Sequence, residues 1–146
     1  MKRLMIIGPI AALVVAGCGS SSSTNGASAP TSNTKPASSI QKDAVTLDDF
    51  AIKPSTTALK AGKVEFEVKN AGKTAHEFVV IDTKKPAARL GHGSKVPEKG
   101  NIGETGNLNP GQSKALVLNL RKGHYAVICN DPGHYMAGMH RDVIVS

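Results

Sequence analysis

Tryptophan is absent, and the only aromatic residues are Phe50, Phe66, Phe78, Tyr125 and Tyr135. Any core must therefore rest mainly on Val, Ile and Leu. No basic run alternates with aromatics, so the formal charge of +7 reads as a solvated surface, or as attraction to anionic lipid or an acidic partner. It does not read as nucleic-acid binding. No amphipathic stretch repeats with helical period over three turns, which argues against a helical fold. The charge-free run Leu4–Ala16 is far shorter than the ~20 residues of a membrane span. Cysteine occurs twice, at Cys18 and Cys129.

The opening MKRLMIIGPIAALVVAGC has the layout of an export signal: Lys2 and Arg3, a short apolar run, then small residues. Val15-Ala16-Gly17-Cys18 resembles a bacterial lipobox, in which the cysteine accepts a diacylglycerol and the leader is cut just before it. The resemblance implies a lipoprotein signal over residues 1–17, with Cys18 as the lipidation site. The plainer alternative is an ordinary signal peptide with a chance cysteine. Residues 18–42 then hold the lipid-attached cysteine and a Ser/Thr/Ala/Pro-rich linker with nothing large and apolar until Ile40. Such a segment cannot bury enough surface to offset the entropy of ordering it. A flexible tether of this length spans roughly 25–30 Å. The expected location is outside the cytoplasm, lipid-anchored on the outer face of the cell membrane or in the periplasm.

Residues 43–146 are enough for one domain with one core. Val64, Phe66 and Val68 alternate with Glu65, Glu67 and Lys69, the pattern of a half-buried strand. Val45 and Leu47 alternate likewise, with Phe50 slightly further on. Apolar runs follow at Phe78–Ile81, Ala115–Leu120, Tyr125–Ile128 and Val143–Val145. Turn signals separate them at Lys60–Lys63, Asn70–Lys73, Asn109–Gly111 and Lys122-Gly123. Many short strands at such spacing predict an all-β, antiparallel β-sandwich. Residues 82–104 are long, charged and rich in Gly and Pro. They read as an extended connection with one helical turn near Ala87–Leu90.

The chemistry gathers in CNDPGHYMAGM, residues 129–139, where Cys129, His134 and Met139 fall at intervals of five. Taken alone, Cys129 has two bland readings: a buried inert thiol ending a strand, or a disulfide to Cys18 in an unlipidated chain. The neighbours favour a third. Asn130–Gly133 supplies a tight turn, with Pro132 pre-setting φ and Gly133 free to take positive φ. His134 then folds back toward Cys129, and Ala137-Gly138 bends the chain again before Met139. Thiolate, imidazole and thioether together select copper over hard cations. A fourth donor must come from elsewhere. His76, after the Asn70–Lys73 turn and before the apolar run Phe78–Ile81, is the best placed. Met136 is a competing sulfur. His140 and His124 are expected at the surface, and His92 in the loose connection is expected to be solvated.

Asn70, Gly72 and His76, then Cys129, His134 and Met139, resemble the cupredoxins, the small blue-copper proteins. Ala137-Gly138-Met139 followed by a last strand is plastocyanin-like, whereas the cysteine-to-histidine interval is closer to azurin. The resemblance implies an eight-stranded Greek-key sandwich. It also implies one type 1 copper held by His76, Cys129 and His134, with Met139 as a weak axial ligand. Glu77 departs from the family, where many relatives carry an Asn that helps lock the two ligand loops together.

That resemblance further implies a one-electron carrier, not an enzyme, because four side chains leave no open position for substrate. Electrons would pass through the His134 edge to transiently docked redox partner proteins. Pro132, Gly133, Tyr135, Ala137 and Gly138 would form the surrounding low-charge patch. A monomer is expected. The alternative is a copper-buffering or copper-delivery lipoprotein, although the Met- and His-rich tracts common in such proteins are absent.

Overall fold

The computed structural model describes residues 39–146. The leader, Cys18 and most of the linker lie outside the described residues. Nine strands follow in order: β1 (Gln41–Asp48), β2 (Ala51–Pro54), β3 (Ala58–Leu59), β4 (Gly62–Asn70), β5 (Val79–Asp82), β6 (Asn101–Glu104), β7 (Ser113–Leu120), β8 (Gly123–Ile128) and β9 (His140–Val145). They form two sheets, ordered β2-β1-β4-β7 and β3-β9-β8-β5-β6. This is an all-β sandwich.

The alternation in β4 is realised residue by residue. Val64, Phe66 and Val68 are buried, while Lys63, Glu67 and Lys69 face solvent. From β1, Val45 and Leu47 join them. The second sheet contributes Val80, Tyr125, Val127, Val143 and Val145. The core is thus mainly aliphatic, as the scarcity of aromatics requires. Its aromatic centre is the pair Phe66–Phe78, with ring centroids 5.3 Å apart. A smaller cluster of Val79, Ile81, Ala87, Val96, Ala126, Ile128 and Tyr135 lies on the other face of the second sheet. β5 and β8 are buried on both faces, so their sequences read as continuous apolar runs rather than alternations.

Three features differ from the sequence expectation. The sheets are mixed: β1 runs parallel to β4, and β3 parallel to β9. Period-two alternation tells which face a residue takes but not the direction of its neighbour. The 82–104 connection does contain the expected helical turn, a 3-10 turn at Ala87–Arg89, but it ends in β6, an edge strand against β5. Its Asn101 and Gly103 hide it from a propensity reading. Phe50 is 62% exposed rather than part of the core. It lies with Asp49 in the two-residue turn between β1 and β2 and has φ 66°.

Candidate metal centre

Two connections at one end of the sandwich carry the expected donors. His76 lies between β4 and β5. Its main chain pairs with Leu108 in both directions, at 3.1 and 2.8 Å. Buried Asn70 stiffens the approach: its amide donates to Thr74 O and Leu108 O, and its carbonyl accepts from Gly72 N. Phe78, fully buried two residues on, anchors the other side. His76 is itself 1% exposed.

The second connection is the β8–β9 hairpin loop. His134 N donates to Asp131 O at 2.9 Å, closing a turn across Pro132 and Gly133, and Gly133 has φ 87°. Pro at the first central position and a positive-φ Gly at the second form the type II pattern. One helical turn follows, with Ala137 N on Gly133 O and Met139 N on His134 O. Cys129 N then donates to Met139 O at 3.0 Å and closes the loop. The regular five-residue spacing is thus the spacing of two turns, each returning the chain to the same place.

The donor atoms converge. His76 Nδ1 lies 3.1 Å from His134 Nδ1. Cys129 Sγ lies 3.9 Å from His76 Nδ1 and 3.5 Å from His134 Nδ1. Metal bonds of about 2.0 Å to nitrogen and about 2.3 Å to sulfur would set such pairs roughly 3.4–3.8 Å apart. One ion therefore fits among the three atoms. Met139, at the end of the same loop, is fully buried. Met136, the competing sulfur, is 54% exposed.

The thiol has no solvent exposure and adjoins the aliphatic core, yet it is not sealed in hydrocarbon. Its sulfur faces two imidazole nitrogens and accepts from Glu77 N at 3.4 Å. Burial pushes the metal-free thiol from 9.0 up to about 11, against the amides of Glu77 and Asp131, which favour thiolate. A soft anion forms here when a cation replaces the proton.

Glu77 resolves the question raised by its departure from the blue-copper pattern. Its carboxylate accepts from Asn130 N at 3.1 Å, so a side chain next to His76 grips the residue next to Cys129. Burial chiefly, then the charges of Asp131 and Glu98, raise its pKa above the ordinary range. Asp49 also reaches the centre: Oδ1 lies 3.2 Å from His76 Nε2. Its pKa is held below the ordinary range, chiefly by the Lys73 amide.

The long connection braces the ligand loop from outside. Asn130 exchanges two hydrogen bonds with Val96, and Gly133 N donates to Ser94 O. The Tyr135 hydroxyl donates to Ala87 O and accepts from Leu90 N. Tyr135 is therefore buried, at 2% exposure, and does not belong to the surface patch in which the sequence reading placed it. Pro132, Gly133 and Ala137 are exposed, and His134 and Gly138 partly so. His140 packs on Tyr135, with ring centroids 5.1 Å apart. His124 is less free than expected, bonding Thr83 O and Asp142. His92 is exposed.

The model for the cupredoxin-like domain matches residues 10–145. This chain belongs to the cupredoxin-like domain family. Among curated relatives, it is 30% identical over 140 residues to the copper-resistant cuproprotein CopI of Pseudomonas aeruginosa, covering 72% of this chain and 77% of that one. Among solved structures, dithionite-reduced auracyanin from Roseiflexus castenholzii superposes with a TM-score of 0.57 at 19% identity. That alignment covers 74% of this chain and 98% of auracyanin. Rusticyanin from Thiobacillus ferrooxidans gives 0.56 at 18% identity, over 74% and 79%. At such identities the structural likenesses speak for the fold. Within this cupredoxin the donor set of two imidazoles and a thiol, with a buried thioether on the same loop, suits a single type 1 copper.

Proposed function

We propose that this cupredoxin is a one-electron carrier whose copper would be held by His76, Cys129 and His134, with Met139 as a fourth donor. The observation that carries the reading is the convergence of His76, Cys129 and His134, whose ligand atoms all lie within 4.8 Å of one another. The main-chain hydrogen bonds of the two connections hold these residues in place. Two imidazole nitrogens, a thiolate and a thioether would serve both Cu(I) and Cu(II), so the bound ion would supply a one-electron couple. Copper supplies the redox couple, and the chain's own part is to hold the donors and exclude water. With four side chains engaged, no position is left for a substrate, which supports a carrier rather than an enzyme.

The partly exposed His134 and the exposed Pro132, Gly133, Met136 and Ala137 support brief docking of redox partner proteins to a monomer through a small, nearly uncharged surface. Lipid attachment at Cys18 would tether the carrier outside the cytoplasmic membrane. Among the described residues no helix is long and apolar enough to cross a membrane.

A second reading is copper buffering or delivery, favoured by one observation: the curated relative is named a copper-resistant cuproprotein. Voltammetry and electron self-exchange of the copper-loaded protein separate the two. A reversible one-electron wave with fast self-exchange supports the carrier. Sluggish exchange, with ready loss of copper to a competing chelator, refutes it in favour of copper handling.

A further inference from the structure

Asp49 and Phe50 form the two-residue turn between paired Asp48 and Ala51. Neither belongs to the two connections that carry the donors. Yet one carboxylate oxygen of Asp49 gathers three contacts from the His76 segment: Lys73 N at 2.9 Å, the Thr74 hydroxyl at 3.3 Å and His76 Nε2 at 3.2 Å. Gly72 makes room for this approach. A Cβ there would stand 2.6 Å from Asp49 Oδ1 and 2.7 Å from His76 Nε2, closer than real Cβ contacts allow. The turn is also held in an unfavourable shape, with Phe50 in the left-handed region that residues with a Cβ avoid.

An ionised carboxylate only accepts hydrogen bonds, and a neutral imidazole has one donor and one acceptor nitrogen. His76 Nε2 lies 3.2 Å from this carboxylate and 3.4 Å from the Thr74 hydroxyl, an oxygen that can also accept, so the contacts favour a hydrogen on Nε2 and the lone pair on Nδ1, the atom facing Cys129 and His134. A carboxylate on the far nitrogen of a metal-bound imidazole also makes that imidazole more basic and favours the more highly charged ion.

We propose that Asp49 is a positioning residue for the copper: it fixes the His76 tautomer and lowers the reduction potential by stabilising Cu(II) more than Cu(I). The proposal rests on the ligand assignment above. Its test uses the full-length copper-loaded protein and the variants Asp49→Asn and Gly72→Ala. The first keeps an accepting oxygen but removes the charge; the second keeps the charge but displaces it. Asp49→Asn should retain one copper and the parent colour, while its Cu(II) affinity falls about 10-fold with Cu(I) affinity unchanged. That is a rise in potential of about 59 mV. Gly72→Ala should raise the potential in the same direction. If Asp49→Asn binds copper with an unmoved potential, or loses both affinities equally, Asp49 is only a structural turn residue and the inference is overturned while the copper centre stands. If the parent protein takes up no copper, the ligand assignment fails, and this inference with it.

Discussion

Loading copper onto Cys129 should release a proton, and the pH dependence follows from the burial of the thiol. In the metal-free protein the thiol is raised from 9.0 to about 11, so at pH 8 only roughly one molecule in a thousand carries a thiolate. Copper binds the thiolate, so each ion entering at pH 8–10 displaces about one proton, and the apparent affinity should rise about tenfold per pH unit. The assay is calorimetric titration with a weakly coordinated copper salt in two buffers of different ionisation enthalpy. Tight binding at pH 8 without proton release would refute the reasoning, because the thiol would then be already ionised or no ligand at all. The same shift governs stability without metal. The folded state resists ionisation of this group, so it has no effect below pH 9, and stability falls between pH 9 and 11. The loss approaches a value on the order of 3 kcal/mol. Cys129→Ser should remove that alkaline loss, as read from urea midpoints at pH 8 and 11.

Glu77→Ala removes the acceptor for Asn130 N and should loosen the two ligand loops, seen as faster copper loss to a chelator; Glu77→Gln, which keeps an accepting oxygen, should lose copper more slowly than Glu77→Ala. Tyr135→Phe strips a buried hydroxyl bonded to Ala87 O and Leu90 N and should cost about 1–3 kcal/mol in urea unfolding, with the copper spectrum little changed. Phe50→Gly relieves a positive φ at an exposed turn and should stabilise the metal-free protein by about 1 kcal/mol. A destabilised Phe50→Gly would show that the ring packs on something the turn needs.

Much of the centre was legible because its information is local. Pro132-Gly133 and Ala137-Gly138 dictate turns, and these turns bring the main chain at His134 and Met139 back toward Cys129. His76 needed the further inference that a histidine between a turn and a strand is aimed at that place. Asp49 and Tyr135 gave no such signal. Asp49 meets His76 across 27 positions, and Tyr135 meets Ala87 across 48, so their roles exist only after the sheets have packed. The aliphatic core followed from composition and alternation. The parallel pairing of β1 with β4 did not, because alternation is blind to strand direction. The bracing role of the 82–104 connection was hidden for a related reason: Ser94 and Val96 act through main-chain groups, which every residue carries.

The most direct test of the copper centre is the visible and paramagnetic-resonance spectrum of the full-length protein loaded with one Cu(II), recorded beside Cys129→Ser. An intense blue thiolate-to-copper band that disappears in the variant is the predicted result. A parent protein that stays pale, or a variant as blue as its parent, would contradict the account.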